Sequence, residues 1–292
     1  MTYTPERYAP LTVPLSDESG SALGGGEWAG GGYPILGVPG LGSNHRVWDL
    51  LARHLPDHRL VSVDARGRAS GMGIASPNGI TTHADDLVRV LDATGIDKAL
   101  VVGHSMGGFV STRFAQRHPD RVAGLLLLDG GPPVKLPPVL RSPWALRLSF
   151  NRALPKPGPY ASVAAYWAKA ARRAATYQDL GEDFLTWMFD IDLAGPAGAL
   201  MLQQDRALLI SDAIECFTAD WQPIALAAVS MPCRLLLASH GATHKKPPLY
   251  RKEPAPDALS PSTTVERLPG ADHLEVVWHP RTIEAVAALV PA

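Results

Sequence analysis

Ser105 stands in Gly103-His104-Ser105-Met106-Gly107, between an apolar, β-rich run (Ala99-Leu100-Val101-Val102) and a helix-like stretch from Met106 to His118. Gly-x-Ser-x-Gly at a strand-to-helix junction forces a turn so sharp that small residues are needed two positions either side of the serine. The strain lifts the hydroxyl off the sheet edge and sets it at a helix N-terminus, where developing negative charge is favoured. A serine hydroxyl is a poor nucleophile at neutral pH, so it needs a base within hydrogen-bond reach and an acid to orient that base. Ten histidines compete for the base. His273 is set apart by position, because it follows the last strand, in Pro269-Gly270-Ala271-Asp272-His273-Leu274.

These groups need a rigid frame. Two short edge strands are expected near 9–15 and 21–28, then a strand over 33–38 that breaks into the loop Pro39-Gly40-Leu41-Gly42-Ser43-Asn44. A short helix follows over 47–54, with Trp48, Leu51 and Leu55 on one face. Further strands are expected over 59–63, 100–102, 122–128, 234–238 and 264–268, and helices over 81–94 and from about 281 to 289. Thr81 or Thr82 would cap the 81–94 helix, with Asp85 and Asp86 in its first turns. Apolar strands alternating with helices imply a mostly parallel sheet with helices on both faces. The alternation stops at Gly130 and resumes at Arg234. Between them, residues 132–221 read as an insertion with helical periodicity, aromatic residues and many prolines.

The serine motif and its setting resemble the α/β-hydrolase family, and the resemblance extends over nearly the whole chain. It implies a hydrolase core over 1–131 and 222–292 and a helical cap over 132–221. Pro269-Gly270-Ala271-Asp272-His273 resembles the family's Pro-Gly-x-x-His loop, which brings the histidine back over the serine; the order serine, acid, histidine is also the family's. Pro39-Gly40-Leu41-Gly42 resembles its His-Gly-x-x loop, with Pro39 in place of the histidine. This puts the oxyanion-hole amides on Leu41 and Met106. His104 is expected to be structural. Asp64-Ala65-Arg66-Gly67 resembles the family's Asp-x-Arg-Gly stretch and is expected to be an Asp–Arg loop brace.

The acid departs from the family pattern. Its usual place after the 234–238 strand is occupied here by about Gly241, in Ala238-Ser239-His240-Gly241-Ala242, and no carboxylate follows until Glu253. Three explanations stand, in this order: Asp129, at the end of Leu125-Leu126-Leu127-Leu128-Asp129 and delivered to the same sheet edge by the adjacent strand; a Ser-His dyad without an acid; and Asp220 at the end of the insertion.

From Gly130 to Gln178 there is no Asp or Glu, against Lys135, Arg141, Arg147, Arg152, Lys156, Lys169, Arg172 and Arg173. From Asp179 to Asp220 nine carboxylates face Arg206 alone. Two halves of the insertion pairing with one another would account for this. So would a cationic entrance that steers an anionic substrate or an acidic carrier protein. Trp167, Trp187 and Phe189, with Tyr166 and Met188, are candidates for an apolar substrate pocket, or for the core of the insertion.

The 292 residues suffice for one α/β domain with an insertion, and an apolar fraction of 46% allows a large core. A formal charge of −1 argues against a nucleic-acid partner. Cys216 and Cys233 form no metal-like spacing and no disulfide framework. No signal-peptide pattern and no apolar run of membrane-spanning length is visible, so a cytoplasmic protein is expected. The expected activity is that of a serine hydrolase, esterase-like, cleaving an ester, thioester or related acyl bond of a small-molecule substrate through an acyl-enzyme, with no metal or organic cofactor. The alternatives are a ligand-binding or receptor-type member of the same fold and a non-hydrolytic or related one: a lyase, a perhydrolase or a carbon–carbon hydrolase.

Overall fold

The computed structural model describes residues 3–15, 20–74, 77–140, 142–171, 177, 180–242 and 246–291. The chain opens with an antiparallel pair, β1 (Tyr8–Pro14) and β2 (Ala22–Trp28), followed by β3 (Gly32–Val38), the short helix α1 (Asp49–Ala52) and β4 (His58–Val63). Then come α2 (Ile80–Ala93), β5 (Ala99–His104), α3 (Met106–Arg117) and β6 (Val122–Leu128). The insertion contributes α4 (Pro143–Ala153), α5 (Val163–Ala171), α6 (Glu182–Asp190), a small hairpin of β7 (Leu193–Ala194) and β8 (Met201–Leu202), and α7 (Arg206–Thr218). The chain closes with α8 (Gln222–Ala225), β9 (Cys233–Ala238), β10 (Thr263–Leu268) and α9 (Pro280–Leu289).

Eight strands form one sheet in the order β1-β2-β4-β3-β5-β6-β9-β10, parallel from β4 onward. The uninterrupted apolar runs of β5 and β6 follow from burial on both faces. Val101, Leu125 and Leu127 pack into the core beneath α2 and α3, whereas Leu100, Val102, Leu126 and Leu128 pack into the opposite core with α1 and α9.

Strand order decides where chemistry can occur. β3 and β4 run outward from the centre, and β5 returns to pair with β3, so the connections leave in opposite directions from the β3/β5 seam. Ligands bind at such a switch point, beyond the carboxyl ends of the strands. Val38 pairs with Gly103 and His104 with Leu128, so the ends of β3, β5 and β6 lie side by side.

Two local expectations are corrected. The second helix begins at Ile80 rather than at a threonine cap, and its first amide donates to Glu215 Oε2 on α7 at 3.0 Å. Asp64 and Arg66 do not brace one another. Asp64 accepts from the backbone N–H of His45 (2.7 Å) and the hydroxyl of Ser70, and its Oδ1 lies 3.0 Å from His45 Nδ1. Arg66 instead forks onto both oxygens of Asp86 at 2.7 and 2.8 Å.

Among the described residues, three carboxylates of the acidic half of the insertion find their partners outside it. Asp190 pairs with Arg46, Asp212 with Arg68 and His83, and Glu215 with the Ile80 amide, and these three fasten the insertion to the sheet domain. Arg141, Arg172, Arg173, Gln178 and Asp179 lie outside the described residues.

Candidate active site

Ser105 occupies the turn between β5 and α3 with φ 54° and ψ −119°, a left-handed conformation that a non-glycine residue adopts only under constraint. The constraint is packing. A Cβ on Gly107 would sit 2.0 Å from the Val38 carbonyl, so only glycine lets α3 start this close to β3. The Ser105 amide donates to Leu128 O at 2.9 Å, which locks the turn to β6.

Asp129, at the end of β6, also has positive φ (46°) and is fully buried. Its backbone N–H donates to Leu236 O (2.8 Å), and its Oδ1 accepts from the Ala238 N–H (3.2 Å). These two bonds to β9 leave Oδ2 free to face the loop after β10. That loop carries His273. Its Nδ1 lies 2.6 Å from Asp129 Oδ2 and its Nε2 lies 2.9 Å from Ser105 Oγ. A carboxylate can only accept, so Nδ1 carries the proton and Nε2 is left to accept from the serine hydroxyl. His104 holds the arrangement from below. Its Nε2 donates to the His273 carbonyl at 2.7 Å, and burial, reinforced by the neighbouring His273, depresses its pKa to about 3, so the ring stays neutral. Asp220 is exposed beyond the end of α7.

The loop after β3 meets the serine from the other side. A Cβ on Gly40 would lie 3.2 Å from the Ser105 Cβ. Leu41 and Met106 both line the cavity above Ser105. The Met106 amide is the first of α3, where helix geometry supplies no acceptor within the helix.

The insertion holds this loop in place. Gln204 Nε2 donates to Gly42 O (3.0 Å), and Asn44 Nδ2 donates to Met188 O (2.8 Å) and Asp192 Oδ1 (3.0 Å). Burial raises the Asp192 pKa to about 8; proximity to Asp64 and Asp190 adds to the shift, while Asn44 and Arg46 oppose it. The folded chain therefore keeps this proton up to about pH 8, whereas an unfolded carboxyl loses it near 3.8. The stability this confers is complete below the lower value and is lost as pH rises through the upper one. We expect Tm to fall more steeply between about pH 4 and 8 in the native chain than in Asp192→Asn, measured by thermal melts at matched ionic strength. Parallel curves would contradict it.

A cavity of about 340 Å³ opens over Ser105 and His273. Its wall is mostly apolar: Phe109 from α3, Phe150 from α4, and Ala213, Cys216 and Phe217 from α7. The Phe150 and Phe217 rings stack at 5.8 Å. None of Trp167, Trp187 or Phe189 reaches this wall, which corrects their assignment to the substrate pocket. Trp187 packs edge-on against Tyr3 (5.5 Å) and Tyr8 (5.3 Å), with the Arg46 guanidinium 4.8 Å over its ring. Phe189 packs on Tyr166 and Tyr177, and Trp167 packs against the same apolar cluster as Trp187. These residues belong to the packing that joins the insertion to the sheet domain. Trp187→Ala is therefore expected to lower unfolding stability by about 3–5 kcal/mol in a denaturant titration while KM for a small ester moves by less than about twofold. A large KM change at unaltered stability would restore Trp187 to the pocket.

The apolar wall residues escaped the sequence reading because aromatics at helical spacing look alike whether they face a cavity or a core. Among the described residues, no group of three or more His, Cys, Asp or Glu side chains is placed to hold a metal ion. No helix among them is long and apolar enough to cross a membrane.

The profile of the alpha/beta hydrolase fold family matches residues 33–217. Lipase LipV of Mycobacterium tuberculosis is 37% identical over 95 residues, 32% of this chain and 36% of that protein. The match thus spans little more than a third of the curated relative. Among solved structures, E-2-(acetamidomethylene)succinate hydrolase is similar over 98% of this chain and 100% of its own, with a TM-score of 0.75 at 20% identity. The thioesterase domain from the curacin biosynthetic pathway is similar over 97% and 99%, with a TM-score of 0.71 at 18% identity. At these identities the two structures share the fold.

Proposed function

The chain belongs to the alpha/beta hydrolase fold family, and on that premise we propose that it is a serine hydrolase that cleaves an ester, thioester or related acyl bond through an acyl-enzyme. The observation that carries this reading is the continuous relay from Asp129 Oδ2 through His273 to Ser105 Oγ, at 2.6 and 2.9 Å. A site that only bound a ligand would have no need of a strained serine, a fixed imidazole tautomer and a buried carboxylate in line.

In this reading the substrate carbonyl lies against the Leu41 and Met106 amides. As Ser105 Oγ attacks the carbonyl carbon, its proton passes to His273 Nε2. The imidazolium that forms is stabilised by the Asp129 carboxylate. Negative charge on the carbonyl oxygen is met by the two amides, a contribution worth about 10²–10³ in rate per donor in a comparable site. Collapse expels the alcohol or thiol, which takes the proton from Nε2 and leaves the acyl group on Ser105. Water then enters, gives a proton to His273 Nε2 and attacks the acyl carbon; collapse breaks the bond from Ser105 Oγ to that carbon, Oγ recovers the proton from Nε2, and the acid is released. The apolar wall over the serine strengthens every charge interaction by excluding water. Residues 132–221 act as the cap in this scheme, since α4 and α7 supply much of that wall. The buried, unpaired Cys216 and Cys233 suit a reducing, cytoplasmic setting.

The test is pre-steady-state. An acyl-enzyme whose breakdown is slower than its formation releases a burst of p-nitrophenol, about one equivalent per Ser105, from a p-nitrophenyl ester before steady turnover. Absence of turnover with a range of acyl esters would overturn the proposal.

A further inference from the structure

The turn after β9 is where the family resemblance places the triad acid, and here it holds Gly241. With Asp129 at His273 Nδ1, this turn has no orienting duty. It is nevertheless pinned to the catalytic loop. The Ser239 and His240 amides donate to Ala271 O at 3.0 and 3.1 Å, the His273 amide donates to Gly241 O at 3.3 Å, and the Gly241 amide donates to Lys246 O at 3.0 Å. These bonds hold Lys246 at the cavity, and Gly241 and Pro247 form wall beside it.

Lys246 stands out in that wall. Apart from His273, it is the one ionisable side chain that could carry charge at neutral pH among the described lining residues, because burial pushes the Cys216 thiol well above its ordinary value. Lys135 lines the adjoining cleft, which shares Phe217 with the cavity. No carboxylate occurs from Gly130 to Gln178 to neutralise this side. Three carboxylates of the acidic half are engaged elsewhere, Asp190 on Arg46, Asp212 on Arg68 and Glu215 on the Ile80 amide. Lys246 and Lys135 thus put positive charge beside an apolar interior.

We propose that Lys246, on the turn that the relocated acid leaves vacant, is the specificity-determining residue for a substrate with two parts: an apolar portion that fills the cavity and an anionic group that meets the ammonium at the mouth. The inference rests on the serine-hydrolase reading of Ser105. Lys135 adds charge of the same sign and steers the anion toward the opening.

The anion could belong to the acyl part or to the leaving group, and three esters separate these sources: p-nitrophenyl hexanoate, the mono-p-nitrophenyl ester of adipate, and the hexanoate ester of 4-hydroxybenzenesulfonate. The readout is the ratio of kcat/KM for each charged ester to that for the neutral one. Lys246→Gln is expected to lower the ratio about fivefold for one charged ester, the scale of a single exposed charge contact, and the ester affected identifies the source. Salt at about 1 M is expected to lower the same ratio in the native chain. Lys135→Gln should lower it less. Ratios that Lys246→Gln leaves unmoved for both charged esters, with the neutral ester still turned over, overturn this inference alone. No turnover of any of the three, with Ser105 unlabelled by a fluorophosphonate, overturns the serine-hydrolase reading beneath it.

Discussion

Replacing Ser105 with alanine is expected to lower ester turnover by about three orders of magnitude or more and to leave the fold intact. The large loss follows from the relay. Without Oγ there is no covalent intermediate, and removing the nucleophile of a triad disables the unit as a whole. The intact fold follows from where the constraint lies. The φ of 54° at Ser105 is imposed by backbone contacts to Leu128 and by the approach of Gly107 to β3, and alanine meets the same backbone cost as serine. Steady-state kinetics paired with circular dichroism and a thermal melt check both halves. Retention of more than about a tenth of the activity would reject Ser105 as the nucleophile.

The second large effect is expected at Asp129. Its Oδ1 already accepts from the Ala238 N–H, so an asparagine would keep its carbonyl oxygen there and turn its amide nitrogen toward His273. The imidazole would then have to accept at Nδ1 and carry its proton on Nε2, the nitrogen facing Ser105. A protonated Nε2 cannot take the serine proton. Asp129→Asn is expected to lower kcat by about 10²–10⁴-fold with KM little changed, the range set by loss of the orienting acid in a known triad. A loss below tenfold, or an equal loss in Asp220→Asn, would move the orienting role elsewhere.

Much of this architecture is legible in the sequence because local chemistry decides it. Runs such as Leu125–Leu128 report a strand covered on both faces, and Gly103 and Gly107 report a turn too tight for side chains. The placement of Asp129 beside the histidine follows from strand adjacency, since β6 lies between β5 and β9. What stayed hidden depends on contacts between distant segments. The cap of α2 comes from Glu215, 135 residues away, so no pattern near Thr81 could reveal it. Asp190 and Asp212 of the insertion pair with Arg46 and Arg68 across the domain, and composition alone could not tell that from pairing within the insertion. The pocket aromatics were misplaced for a related reason: Trp187 and Phe150 sit on similarly amphipathic helices, and only packing shows that Trp187 faces Tyr3 and Tyr8 while Phe150 faces the serine.

The most direct measurement is intact-protein and peptide mass spectrometry after brief exposure to a fluorophosphonate, a reagent that phosphonylates an activated serine and spares a passive one. A single adduct is expected on the peptide carrying Ser105, absent from Ser105→Ala and formed much more slowly in Asp129→Asn. An unlabelled Ser105, or an adduct on a different residue, would contradict the account.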